Sequence, residues 1–508
     1  MKKTLIILTA ICFALYSCTD LDVNPDSKLT DSQAYNEKQE FEYGLSGLYG
    51  HLQVWVESIY KASCPSTDEM LSPNRSGDWK GDMQLLYKHT WDANTNELKG
   101  LYEQYSVLIA TANDLIGKVD KSDFKSDQDV LNVKNEARFL RSFAYFMMMD
   151  MFANVPLKTD PDYDHKNPPK QATRAQLFTF VESELKDLSS SLPKAEDAVY
   201  GRACRNTAKS LLVKLYLNAE VYLGTGNAKW SEVVTLTKEI MDDHQYVLED
   251  NFKDVFKWDN YTSKEMIFPL VCDSRSTKTE NITFLFSIGD LRAKYGPFAA
   301  GWGGSSVPPT FFRTYDEEDV RRDAFIFGPQ FGSDGKPIMA TDDNKVERQL
   351  DYTIDFTTSD PIDGADHWDG ARGGKYLMDG IGGDMVNRGI NNDIPIIRYA
   401  DILLMRAEAL FRISNTSTEA LQLVNQVRTR NGNNPIPAFT VLTEENLLAE
   451  RGREFAWEGW RRNDLIRFDK FNDVRDFITQ KTDPKYKIFP IPTVHLKANP
   501  NMQQNPGY

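Results

Sequence analysis

Residues Leu447–Phe468 read LLAERGREFAWEGWRRNDLIRF, a stretch crowded with Arg, acidic, Trp and Phe residues. The spacing predicts one continuous helix of about six turns. Glu450, Glu454 and Glu458 recur every four residues, so such a helix carries them as one acidic row. Arg453, Arg461 and Arg462 lie three or four residues from members of that row, within pairing reach. Phe455, Trp457, Trp460 and Leu465 supply bulk to bury. Gly452 and Gly459 are costly inside a helix, so they predict the close approach of another backbone. Two readings follow. The row is an acid/base centre, or its Arg–Glu pairs clamp the helix to its neighbours. Ion-pair networks commonly imitate active sites, which favours the clamp.

The remaining sequence bounds the choice. A chain of 508 residues holds one large domain or several small ones. A hydrophobic share of 41% and an aromatic share of 12% describe a globular protein. The formal charge of −15 argues against nucleic acid and against electrostatic binding to anionic lipid. The histidines are scattered without zinc spacing, and no metal is expected on that evidence. Beyond the leader, Cys64, Cys204 and Cys272 allow one disulfide at most.

Residues 1–17 have the order of a secretory signal: Lys2 and Lys3, then an apolar run from Leu5 to Tyr16. The run is short for a membrane span. Leu15-Tyr16-Ser17 before Cys18 resembles a bacterial lipobox, which implies cleavage there and lipidation of Cys18. Several acyl chains hold a protein stably on a bilayer, whereas one does not. Residues 18–32 are polar and contain a proline, as expected of a tether.

Residues 33–508 read as one domain, with a helical scaffold over 33–250 and 396–470 and a loop-rich lobe over about 251–395. Apolar periodicity predicts helices over Glu37–Tyr60, Glu97–Ile116 and Asp129–Phe152. In the last of these, Val130, Val133, Ala137, Leu140, Ala144, Met147 and Met151 alternate spacings of three and four. Thr173 with Gln176 reads as a capping box opening Thr173–Leu192. Asn206–Leu223 and Lys229–Asp243 form a helical hairpin, and Tyr399–Ile413 with Thr418–Arg430 repeats it. This is the tetratricopeptide plan in degenerate form. Lys61–Lys80 is broken by Pro65, Pro73 and Gly77 and reads as a loop. Phe252–Pro395 is rich in Gly, Asp, Pro and aromatics, with strand-like runs at Met266–Val271 and Thr283–Ser287.

Several of these pieces, taken in order, resemble the SusD/RagB family of Bacteroidetes surface lipoproteins. They are NEARFLRSFAYFMMMDMFANVPL (Asn135–Leu157), GRACRNTAKSLLVKLYLNAEVYL (Gly201–Leu223), RYADILLMRAEALFR (Arg398–Arg412), NQVRTRNG (Asn425–Gly432), ERGREFAWEGWRRNDLIRF (Glu450–Phe468) and FPIPTVHLKANPNMQQNPGY (Phe489–Tyr508). The resemblance implies a mainly α fold, with four tetratricopeptide-like units beside an irregular lobe. It implies non-enzymatic capture of oligosaccharide or peptide, and a SusC-like TonB-dependent transporter of the outer membrane as partner. Asp20 and Asp22 loosely resemble the family's surface-export signal.

Sugar recognition needs flat aromatic faces and convergent polar groups. Two loops fit. The first carries Asp68, Glu69, Arg75 and Trp79, with Trp91 downstream; the second carries Arg275, Tyr295, Trp302 and Gly301, Gly303 and Gly304. Trp302 is the leading platform, and Asp68, Arg75, Trp79, Tyr295 and Trp302 are the expected ligand-binding set. His367-Trp368-Asp369 is a weaker candidate. The acidic run Asp360–Asp369 offers hard oxygens for Ca²⁺ but lacks EF-hand spacing, and a solvated turn is the simpler reading. No cofactor is expected. A glycoside hydrolase and a protein-binding adaptor stand as rival functions.

Overall fold

The computed structural model describes residues 35–75, 81–161, 166–274, 291–295, 303–362, 364–376, 378, 391–430 and 436–508. The signal, Cys18, the tether, Trp79, Arg275, Thr283–Ser287, Gly301 and Trp302 lie outside them. No described helix is long and apolar enough to cross a membrane.

The scaffold is a chain of helices, each packed on the next: α1 (Lys38–Gly50), α2 (Asn96–Lys121), α3 (Gln128–Phe152), α4 (Arg174–Ser191), α5 (Arg205–Leu217), α6 (Trp230–Asp242), α7 (Tyr399–Ile413), α8 (Thr418–Arg428), α9 (Glu444–Phe455) and α10 (Arg461–Arg467). α3 is central and packs on α1, α2 and α4. Its predicted stripe is buried, and from Phe139 to Phe152 every side of the helix is covered. Asp127 caps it by accepting from the Asp129 amide, and Ala153, at φ +57°, ends it. Thr173 and Gln176 make the expected capping box on α4.

The loop-rich lobe is an insertion between α6 and α7, which pack directly on each other. The chain leaves and re-enters the scaffold through one two-stranded antiparallel sheet, β1 (Met266–Leu270) with β2 (Ile394–Arg398), every residue of it buried. Within the lobe the described strands are short pairs, such as Phe325–Ile326 with Arg372–Gly373. Ile326, Ile338, Leu350, Tyr352 and Trp368 form a small core of its own there.

Two expectations are corrected. The opening stretch is not one helix: α9 stops at Phe455, and Ala456–Trp460 turn the chain before α10 begins. Trp457 sits at φ +58° and Gly459 at φ +88°, a conformation that suits glycine and strains tryptophan. Glu69 holds the strained residue, accepting from the Trp457 amide at 3.1 Å on its carboxylate and from the indole N–H at 2.7 Å on its carbonyl. The glycines, moreover, face side chains rather than backbone. A Cβ at Gly452 meets the Arg461 guanidinium at 2.8 Å, and one at Gly459 meets Ile59 at 3.0 Å and Trp55 at 3.2 Å.

Candidate functional site

The acidic row is spent on the scaffold. Glu450 accepts from Arg321 at 2.6 Å and from Arg453 at 2.7 Å. Glu454 accepts from Arg398 and from Arg430, both at 2.7 Å. Glu458 accepts from Lys375 at 2.5 Å and Arg398 at 2.8 Å. All three carboxylates are buried. Burial alone raises the Glu450 carboxyl, but Arg321 and Arg453 outweigh it and bring it down to about 2. Glu454 is held far below the ordinary carboxylate range, with burial overcome by Arg430, Arg398 and Arg321. Carboxyls held this low carry no proton near neutrality, so they do not serve as general acids. Arg321 and Lys375 come from the lobe and Arg398 from β2, so the row clamps lobe to scaffold.

The predicted loops meet elsewhere. Arg75 is buried and donates to Gly303 O at 3.2 Å, to Gly304 O at 2.7 Å, to Ser306 Oγ at 2.7 Å and to Asp369 O. Leu71 and Ser306 form an antiparallel bridge, as do Ser306 and Arg372. Asn74 donates to Pro361 O at 2.9 Å, and Ala365 donates back to Asn74 O at 3.0 Å. The first loop, the second loop and the acidic run 360–369 thus share one junction. Arg75 is the last described residue before Trp79, and Gly303 the first after Trp302. Burial, then the neighbouring charge of Arg372, pushes the Arg75 guanidinium well below its ordinary pKa. Burial also brings Arg372 down to about 10.

Tyr295 stands beside a cavity of about 430 Å³ whose walls include Lys294, Phe325, Phe327, Gln330 and Tyr376. Lys294 lies over the Tyr295 ring at 5.3 Å and donates to Gln330 at 3.3 Å. Phe325–Ile326 in that wall pair with Arg372–Gly373, which ties the cavity to the Arg75 junction.

Other expected site residues are placed differently. Asp68 has both carboxylate oxygens on Arg461, at 2.8 and 2.7 Å, and lines a separate cavity of about 260 Å³ with Phe311, Leu448 and Phe468. Glu69 is fully buried against Trp457. Trp91 is buried, donating to Tyr508 at 2.8 Å and packed edge-on against Phe489. Trp368 is buried beneath Arg348, 4.2 Å from the ring centre. In the acidic run, Asp360 and Asp366 accept from the amides of Ile362 and Trp368, two residues on, as in Asx turns. Asp369 accepts from Thr357 at 2.7 Å. Among the described residues no cluster of His, Cys, Asp and Glu is poised around a metal. Cys64, Cys204 and Cys272 are buried. The sequence reading missed Arg372 and Ser306, which complete the junction; Ser306 lies 66 positions from Arg372 and 231 from Arg75, and no local pattern links them.

Comparison with known proteins fits this architecture. A model described as "SusD family" matches residues 264–508, and one described as "Starch-binding associating with outer membrane" matches residues 21–217. The chain belongs to the SusD/RagB family. Among relatives of this SusD/RagB protein is the starch-binding protein SusD of Bacteroides thetaiotaomicron, 25% identical over 472 residues, covering 84% of this chain and 81% of the relative. Among solved structures, a laminarin-binding SusD-like protein superposes with a TM-score of 0.72 at 21% identity, covering 93% of this chain and all of its own. Surface glycan-binding protein A from Bacteroides thetaiotaomicron, solved with laminarihexaose, superposes at 0.70 and 20% identity, covering 92% of this chain and 99% of its own.

Proposed function

We propose that this SusD/RagB protein is a surface glycan-binding lipoprotein of the outer membrane. It captures oligosaccharide at the Arg75 junction and passes it to a SusC-like TonB-dependent transporter. The carrying observation is the hydrogen bonding of Arg75 to Gly303 and Gly304, which joins the described ends of the two loops that bear Trp79 and Trp302. In this reading Trp79, Trp302 and Tyr295 present ring faces to sugar, Arg75 braces the loops behind them, and Asp68 anchors the first loop to Arg461. Lipid on Cys18 holds the protein at the membrane. Binding without hydrolysis is supported by the relatives, named as binding proteins, and by the commitment of the acidic row to ion pairs. An exposed site of this kind binds weakly, because few polar groups are fully desolvated.

The test is migration of the purified protein through native gels cast with starch or with laminarin, with a parallel assay for newly released reducing ends. The expected result is retardation by at least one polysaccharide, no release, and loss of the retardation in Trp302→Ala at unchanged melting temperature. Release of sugar, or free migration in both gels, overturns the reading.

A further inference from the structure

We propose that the turn Lys257–Ser263 carries a second carbohydrate platform, built from Trp258 and Tyr261 and separate from the Arg75 junction. The proposal rests on the glycan-binding reading above. Trp258 is the one exposed tryptophan among the described residues, at 40%, and Tyr261 is exposed at 60%. Most other described aromatics are packed into the core clusters, and the other exposed ones, Tyr43, Tyr200 and Phe331, stand singly along the chain. Here two large rings are left out, within four residues.

The backbone holds the turn. Asn260 N bonds Lys257 O at 3.2 Å, Thr262 N bonds Asp259 O at 3.1 Å, and Ser263 N bonds Asn260 O at 2.9 Å. Trp258 and Tyr261 are three apart, the tyrosine in the single 3-10 turn Asn260–Thr262 and the tryptophan just before it. Between them Asn260 points inward with no exposure. Its side chain donates to Val255 O at 2.9 Å and Asp393 O at 2.8 Å, and accepts from the Asp393 amide at 2.7 Å. Ser263 Oγ adds a bond to Glu249 at 2.8 Å. The rings therefore ride on a pinned turn, and a ligand meets them without a large ordering cost.

The surroundings select the ligand class. Neither the Trp258 indole N–H nor the Tyr261 hydroxyl is hydrogen-bonded among the described residues, so both rings keep a polar handle. Asp259 lies between them in the chain, loosely paired with Lys257 at 3.8 Å, and both side chains are about a third exposed. Such a pair contributes little; Oδ1 is buried, which leaves Oδ2 to accept from a sugar hydroxyl. Ring faces flanked by a carboxylate fit a neutral pyranose. A protein partner needs roughly 800 Å² on each side, far more than two rings among polar neighbours supply. None of the residues that hold this turn takes part in the Arg75 junction.

Two platforms on one chain act together on a long glycan and separately on a short one. The test compares wild type, Trp258→Ala/Tyr261→Ala, Trp258→Phe/Tyr261→Phe and Trp302→Ala in starch and laminarin gels, with calorimetric titration of laminarihexaose alongside. The double alanine variant is expected to melt like wild type. Its retention by polysaccharide weakens by about a hundredfold, the low end of what losing one arm of a bivalent contact costs. Its titration with hexasaccharide shows one site fewer. The phenylalanine pair, which keeps the ring faces, retains most of the binding. If Trp302→Ala loses retention while the double alanine variant keeps it, this proposal falls and the glycan-binding reading stands. If wild type is retarded by neither polysaccharide and takes up no hexasaccharide, both fall.

Discussion

Two regions bury arginine, by opposite means. Around Arg398, the guanidinium lies among carboxylates: Glu454 at 2.7 Å, Glu458 at 2.8 Å and Glu265 at 3.0 Å. Around Arg75 and Arg372, two buried guanidiniums share Ser306 Oγ and Asp369 O, and every acceptor bonded to them is neutral. The first region is a charge-balanced core; opposed charges raise Arg398 far above its ordinary pKa despite burial. The second is a hydrogen-bonded knot, and burial lowers both of its arginines. The crowding of charge that resembles chemistry in the sequence belongs to the first region. The loops proposed to capture ligand are held by the second, where, among the described residues, the arginines bond no carboxylate.

The largest effect expected from this difference comes from Arg398→Met. It removes one cation from three buried carboxylates, and breaking a buried ion pair costs about 3–5 kcal/mol. Urea unfolding at pH 7 should show a loss in that range. The loss should shrink as pH falls toward 5, because carboxylates deprived of a counter-charge gain a proton more readily in the folded state. A loss below about 1 kcal/mol at pH 7 would break the picture of a charge-balanced core.

Glu69 links the two regions, since it belongs to the Asp68–Arg75 loop and holds Trp457. Burial raises its carboxyl to about 7, against the lowering influence of the Cys64 thiol and Arg461. The folded protein therefore keeps this proton to higher pH than the unfolded chain, whose carboxyl titrates near 4.5. The stability it contributes is fully present below about 4.5 and is lost as pH rises through about 7. A shift of this size corresponds to about 3 kcal/mol. Glu450 and Asp464, brought down to about 2, act in the opposite sense and lose their contribution only in strong acid. The difference in unfolding free energy between wild type and Glu69→Gln should thus decline between pH 5 and 8. A flat difference across that window would remove Glu69 as the titrating link.

How much of this was legible depended on how far each interaction reaches along the chain. The α3 stripe, the Thr173 cap and Tyr399–Ile413 were readable because helix periodicity and capping act over a few residues. The break between α9 and α10 was not. The four-residue rhythm of Glu450, Glu454 and Glu458 runs on past Phe455, while the groups that bend the chain, Glu69 and Lys375, sit 388 and 83 positions away. Composition predicted that aromatics mattered in the loops but not which were exposed: Trp91 and Trp368 are core, and Trp258 is not. Its signal was nonetheless present in Trp258-Asp259-Asn260-Tyr261, two aromatics bracketing two turn-forming residues.

The smallest effect expected is at the knot itself. Arg75→Met keeps much of the buried volume and deprives Gly303 O and Gly304 O of a donor, while Arg372 still serves Ser306 Oγ and Asp369 O. An unmet buried acceptor costs about 1–3 kcal/mol, and removing the repulsion from Arg372 returns part of that. The net loss should be about 2 kcal/mol, smaller than for Arg398→Met. It should also be flat from pH 5 to 8, because the abandoned acceptors are carbonyls and do not titrate there. Retention by starch or laminarin should fall together with it, since the described loop ends on either side of the proposed platforms lose their tie. An Arg75→Met deficit that relaxes in acid, as the Arg398→Met deficit should, would mean that the two regions are charge-balanced alike and that the contrast between them is false.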